Sequence, residues 1–158
     1  MEPQEQDKNP AVQKLREWDA QAVAEVIEFR GETTVVVPKE KLRAVAGFFA
    51  TESSVGFTFL SDISCVDRFP LEPRIEVNYH LLSIERKDRL RLKVRLSGKE
   101  PVIASVTSVW PTANWHERES FDLMGIRFEG HPDLKRIVMP DEWEGHPHRK
   151  DYPVEGYR

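Results

Sequence analysis

Residues 75–96 read IEVNYHLLSIERKDRLRLKVRL, and their rhythm decides the architecture. Ile75, Val77, Tyr79 and Leu81 alternate with Arg74, Glu76, Asn78 and His80. After Arg86-Lys87-Asp88 the alternation returns as Leu90, Leu92, Val94 and Leu96 against Arg89, Arg91, Lys93 and Arg95. Successive side chains of a strand point to opposite faces, so this pattern predicts a hairpin with one face on a core and one on water. Leu81, Leu82 and Ile84 fall out of phase, which predicts a bulge before the turn. The four cations of the second strand read as a solvated ladder, with Glu76 opposite to neutralise part of it, rather than as a phosphate-binding stripe.

Upstream, Val12, Leu15, Ala22, Val23, Val26 and Ile27 recur at helical spacing, predicting one helix from Ala11 to Phe29 that Gly31 closes. TTVVV at 33–37 is a short strand, and Pro38 opens a second helix with Leu42, Val45, Phe48 and Phe49 inward. Phe57–Val66 completes a three-stranded meander. The expected architecture is α+β: a two-layer domain with a mixed or antiparallel sheet packed on helices, over residues 10–140. Residues 1–9 read as disordered.

The 158 residues suffice for one domain with a sizeable core. Hydrophobic residues make up 39% and charged residues 32%, and no apolar run is long enough to cross a bilayer. The start MEPQEQDKNP lacks the basic and apolar regions of a secretory signal, which predicts a cytoplasmic protein. A net charge of −4 argues against a dedicated nucleic-acid binder. The single cysteine, Cys65, can form no internal disulfide and cannot hold an iron–sulfur cluster alone; it reads as a buried thiol on a strand.

Downstream, Asn114 with Glu117 three residues on reads as a capped helix start, and Gly125 as its stop, giving a helix over 114–124. Glu117, Phe121 and Met124 would share one face, and Trp115, Glu119 and Asp122 another. Three carboxylates beside large apolar groups suit a surface that another polypeptide covers. His116 is not followed by a second His at position 120, so the zinc-protease pattern fails. His146 and His148 are too few for a metal site, and no glycine-rich phosphate loop exists. Pairing of Glu117, Glu119 and Asp122 with Arg118, Lys135, Arg136, Arg149 or a partner's cations is favoured over acid–base work. From Asp141 to Arg158 the apolar period disappears while Trp143, Tyr152 and Tyr157 persist. That combination predicts an extended arm anchored on a partner, mobile and dispensable for folding in the isolated chain.

The run Glu117-Arg118-Glu119, Phe121-Asp122-Leu123, Gly125, His131-Pro132-Asp133-Leu134, Arg136, Trp143-Glu144-Gly145-His146-Pro147 and Arg149-Lys150-Asp151-Tyr152-Pro153 closely resembles the hydrophilic C-type subunit of bacterial respiratory complex I, the proton-pumping NADH:quinone oxidoreductase. The likeness extends back through EVNYHLLSIERKDRLRLKV and SVTSVWPTANW; His148 stands where many relatives carry an aliphatic residue. The resemblance implies a cofactor-free member of the peripheral arm, with FMN, iron–sulfur clusters and quinone in its neighbours. It also implies a place on the cytoplasmic side of the inner membrane, against the quinone-site subunit and adjacent iron–sulfur subunits. The interface residues it carries over are Glu117, Arg118, Glu119, Asp122, His131, Arg136, Trp143, His146, Arg149, Lys150, Asp151 and Tyr152. Alternatives are the homologous subunit of a membrane-bound hydrogenase or formate-linked complex, or a hydrolase using Glu117, Asp122 and His116.

Overall fold

The hairpin forms as its alternation requires. In the computed structural model, which describes residues 9–157, strands β4 (Ile75–Ser83) and β5 (Asp88–Leu96) pair without a break from Ile75↔Leu96 to Ser83↔Asp88. Strand β3 (Phe59–Asp67) lies antiparallel on the other side of β4. The predicted bulge is on this side instead, between Leu60 and Asp62, where β3 carries the extra residue. Leu82 stays inside the unbroken ladder, opposite Arg89 on the face away from Leu81, while Ile84 lies in the four-residue turn after Ser83 that Lys87 closes at φ 54°.

Residues 10–29 are not one helix. Helix α1 (Pro10–Trp18) stops at Asp19, a single 3-10 turn follows at Ala20–Ala22, and Glu25–Phe29 is strand β1. Strand β1 pairs antiparallel with β2 (Glu32–Val36) through a two-residue loop in which Arg30 and Gly31 both have positive φ, 52° and 80°. That turn matches the right-handed twist of its flanking strands, and Gly31 adopts it without steric cost. It therefore begins a hairpin where the sequence suggested a helix end. Asn9, expected in a disordered leader, caps α1 by accepting from the Ala11 N–H at 2.9 Å and donates to Thr33. The rest of that leader, residues 1–8, lies outside the described residues.

The sheet order is β1-β2-β5-β4-β3, with β2 and β5 parallel, Thr34 opposite Arg91. Helices α1, α2 (Leu42–Thr51) and α3 (Ala113–Met124) contribute Leu15, Val45, Phe49, Ala113 and Met124 to the core cluster that also holds Val35, Val77, Tyr79 and Leu92. This is the expected mixed sheet packed on helices. Two short parallel strands, β6 (Val102–Ala104) and β7 (Arg127–Glu129), form a second sheet that brackets α3.

The outward face of the hairpin is less open to water than its polarity suggested. Glu76 and Asn78 are buried there. Glu76 accepts from Lys93 at 2.9 Å and Arg95 at 3.4 Å and pairs with Arg68 at 3.4 Å. Arg91 pairs with Glu32, and Arg95 also with Glu25. The long stems of these cations cover the sheet while their heads remain near solvent. The expected neutralisation across the strands thus draws on β1 and β2 as well as on the hairpin itself.

Candidate interaction site around the C-terminal segment

Helix α3 carries the charged signature, and its two ends do different work. At its start, Thr112 occupies the cap position without a side-chain capping bond to the helix, and Glu117 does not cap it either. Glu117 is fully buried and points at the loop after β6, accepting from the Val106 N–H at 2.8 Å and the Ser105 hydroxyl at 2.7 Å. No cation pairs with it among the described residues, and burial pushes its pKa up to about 7 against the two hydrogen bonds. Tyr79, wholly buried, is close enough to feel its charge.

At the helix end, Asp122 is equally buried but saturated with donors. One carboxylate oxygen accepts from Ile137, Val138 and Met139 N–H at 2.7–3.0 Å; the other takes Arg136 at 2.6 Å. Burial alone would raise its pKa, yet these hydrogen bonds outweigh it and the group lies below the usual carboxylate value. Arg136 uses its remaining donors on the carbonyls of Asp122, Trp143 and Gly145, so one ion pair shapes the whole stretch from 136 to 145. Gly125 then ends the helix at φ 75°, and His146 packs so closely that a Cβ at Gly125 would lie 2.7 Å from its ring. His146 Nδ1 bonds to the Asp122 carbonyl at 2.8 Å.

A second clasp holds the last residues. Arg74 donates two bonds to buried Asp67, at 2.7 and 2.6 Å, and reaches Asp151 at 2.9 Å. The Lys150 N–H donates to Asp67 at 2.7 Å. Arg74 holds the Asp67 carboxyl far below its ordinary range, and the two aspartates hold the guanidinium charged. Arg149 donates to the Gly98 carbonyl at 2.7 Å and to that of Met124. Trp143 Nε1 donates to the Tyr152 hydroxyl at 3.1 Å, and Tyr152 meets Tyr157 edge to face.

The segment 141–157 is therefore not an arm held clear of the domain. As far as Tyr157 it lacks regular structure but is hydrogen-bonded back onto α3, β3 and the loop before β4. Arg149, the Lys150 backbone and Asp151, all at positions carried over as interface residues, make these bonds inside the chain. Sequence reasoning missed this because Arg74 read as one of the water-facing residues alternating along the hairpin, and nothing in the sequence singled out Asp67 as its partner. The legible signal was a run of partnerless charges in a segment too polar to be core.

Arg118 lies over the Trp115 ring at 5.3 Å and donates to the carbonyls of Lys135 and Arg136. This brings Trp115, 62% exposed, beside the turn carrying Val138, 58% exposed, and Ile137. Asp122, seven residues beyond Trp115 on an unbroken helix, shares its side as the spacing suggested, but there it is covered by the loop 136–139 that its own carboxylate holds. Glu119 pairs with none of the chain's own cations foreseen for it among the described ion pairs. His131 braces the helix start by bonding to the Asn114 carbonyl at 3.2 Å and accepting from the Asp133 N–H. Cys65 bonds to Ser120 at 3.3 Å, and burial pushes its thiol up to about 12.

Glu117, Asp122 and His116, the hydrolase set, do not converge. His116 faces Asp62 at 3.2 Å, and neither of two surface cavities, about 360 and 220 Å³, is lined by any of the three. Among the described residues no helix is long and apolar enough to cross a membrane, and no three His, Cys, Asp or Glu side chains are grouped to hold a metal ion.

Residues 35–158 match the family described as respiratory-chain NADH dehydrogenase, 30 kDa subunit. The chain is 50% identical over 150 residues to the C-type subunit of the NADH-quinone oxidoreductase of Geotalea uraniireducens, covering 95% of this chain and 90% of that protein. Identity to the corresponding protein from Geobacter sulfurreducens is 47%, over 95% and 92% of the two chains. Among solved structures, the trypsin-resistant fragment (1–134) of Nqo5 superposes with a TM-score of 0.66 at 32% identity, covering 78% of this chain and 99% of that one. A chain of the membrane-bound sulfane sulfur reductase, an archaeal respiratory membrane complex, superposes with a TM-score of 0.74 at 28% identity, over 90% and 84%. With the signature run inside the matched residues and the α+β fold shared, this chain belongs to the 30 kDa subunit family of respiratory-chain NADH dehydrogenases, the NADH-quinone oxidoreductases of complex I.

Proposed function

We propose that the chain is a structural, cofactor-free subunit of the peripheral arm on the cytoplasmic side of the membrane. It would bind the quinone-site subunit and adjacent iron–sulfur subunits and keep them at fixed distances. FMN, iron–sulfur clusters and quinone reside in those neighbours. Rigid placement matters to coupled electron transfer, since small displacements of reacting centres carry large rate penalties.

One observation carries this reading. The polar side chains of the signature hold the chain's own loops, through Glu117, Asp122, Arg136 and Arg149, while Trp115, Ile137, Val138 and Trp143 are left facing outward. Such residues shape a surface, and large exposed aromatics beside cations are the usual anchors of one.

Trp115→Glu with Val138→Glu, in the full chain expressed in place of the native one, tests the reading. The isolated variant should melt with the wild type, because both side chains are exposed, but should fail to co-purify with the oxidoreductase and should abolish membrane NADH:quinone activity. Normal assembly with the doubly charged surface, or about one flavin or metal per purified wild-type chain, would overturn it.

A further inference from the structure

Strand β3 is an edge strand, with β4 its only neighbour in the sheet. Its guards against pairing lie towards its ends, in the bulge between Leu60 and Asp62 and the carboxylates of Asp62 and Asp67, and residues 63–66 between them carry no charge and no Pro. The opposite edge, β1, is five residues long and carries Glu25 and Glu28. Among the described residues no backbone–backbone bond outside the ladder reaches residues 59–66, so no other described main chain pairs with this edge. The Thr112 hydroxyl donates to the Leu60 carbonyl at 3.4 Å, at the end of the strand where the bulge lies. Phe59 and Val66, near its two ends, are 41% and 45% exposed.

A groove of about 220 Å³ runs between this edge and α3. Ile63, Leu123 and Met124 contribute apolar atoms to a lining that is otherwise largely polar, with the carboxylates of Asp62 and Glu119 and the His148 imidazole but no Lys or Arg. We propose that this groove receives an extended segment of a neighbouring polypeptide, alternating apolar and basic residues, that pairs with β3 as a sixth strand. Added strands gain affinity from main-chain bonds and specificity from alternate side chains. Here the inward set would fill the groove, and the outward set would meet Asp62 and Glu119. The charge pattern disfavours an acidic segment, which would face Glu119 and an Asp62 whose partner is the His116 imidazole, with no Lys or Arg in the lining. The inference rests on the chain acting within a larger assembly, and it names one surface and the chemistry of its occupant.

Hydrogen exchange of the full chain, alone and inside the purified oxidoreductase, tests it. Amides of residues 60–66 that point away from β4 should exchange freely in the isolated chain and slow by about tenfold or more in the complex. The variant Asp62→Lys with Glu119→Lys, folded by circular dichroism and incorporated, should lose that protection. Equal exchange of these amides in both states, with the chain incorporated, overturns the added strand while leaving the assembly role intact. Protection that survives the double charge reversal overturns the basic occupant. Failure of the wild-type chain to co-purify removes the assembly role on which the inference rests.

Discussion

Glu117 and Asp122 sit five residues apart on one helix, both without solvent contact, yet their proton affinities are driven in opposite directions. Glu117 has two neutral donors and no cation, so its folded pKa of about 7 exceeds the ordinary 4.5. Between those values the native state holds a proton that the unfolded chain has released. Its contribution is therefore fully present at low pH and is lost as pH rises towards 7, by about 3 kcal/mol in total. Glu117→Gln should remove this loss. Denaturant midpoints at pH 5 and pH 7.5 should converge for the variant relative to wild type. The comparison is between variants because His80, whose pKa burial lowers, works in the opposite sense over part of the range. Asp122→Asn is the complementary case. It leaves Arg136 unpaired and should cost about 3–5 kcal/mol, read as a lower urea midpoint. Neither role was legible locally. Glu117 stands where a capping carboxylate would, and only the distant Ser105–Val106 loop reveals what it binds.

At the level of elements, what was legible is what is periodic. The hairpin 75–96 was readable because its alternation is local, and the inward set Leu90, Leu92, Val94 and Leu96 is buried as expected. Strand β1 was not, because Val23, Val26 and Ile27 satisfy helical spacing as well as strand propensity; the Arg30-Gly31 turn decides between them. Leu92→Ala should cost about 2–5 kcal/mol through lost burial and the cavity left behind. Lys93→Ala should cost about 1 kcal/mol, because its half-buried pair with Glu76 is worth more than a fully solvated charge. Denaturant melts of the two variants should differ by at least twofold in ΔΔG; equal costs would mean that the two faces are equally buried. Gly125→Ala should destabilise α3 through both its positive φ and the collision with His146, visible as a lower thermal midpoint.

For the molecule as a whole, the C-terminal segment belongs to the folded unit. Its bonds join residues far apart in sequence, as Lys150 to Asp67 at a separation of 83, and no local pattern could announce them. Truncation after Pro140 removes Asp151 and the Lys150 N–H from the Asp67–Arg74 pair and the Arg149 bonds from Gly98 and Met124. A lowering of the thermal midpoint by about 5 °C or more is expected, each lost bond being worth about 1 kcal/mol. An unchanged midpoint would show that the clasp adds nothing to stability. Arg74→Ala in the full-length chain should cost about 3–5 kcal/mol, since it leaves buried Asp67 without its cation.

The parallel seam between β2 and β5 has a consequence in time rather than in energy. Thr34 meets Arg91 across a separation of 57 residues, whereas the β4–β5 ladder closes around a four-residue turn. Closing so long a loop is entropically uphill until the elements between are compact, so long-range parallel pairing is slow to form. The β3–β4–β5 meander should thus condense first and serve as the template on which the β1–β2 hairpin docks last. Substitutions at Val94 should slow refolding, and substitutions at Val35 should mainly speed unfolding, a division that stopped-flow kinetics can read directly. A chain ordered in this sequence exposes the inner flank of β5 until its own N-terminal hairpin arrives. During synthesis that hairpin leaves the ribosome first, so it must wait for its docking surface.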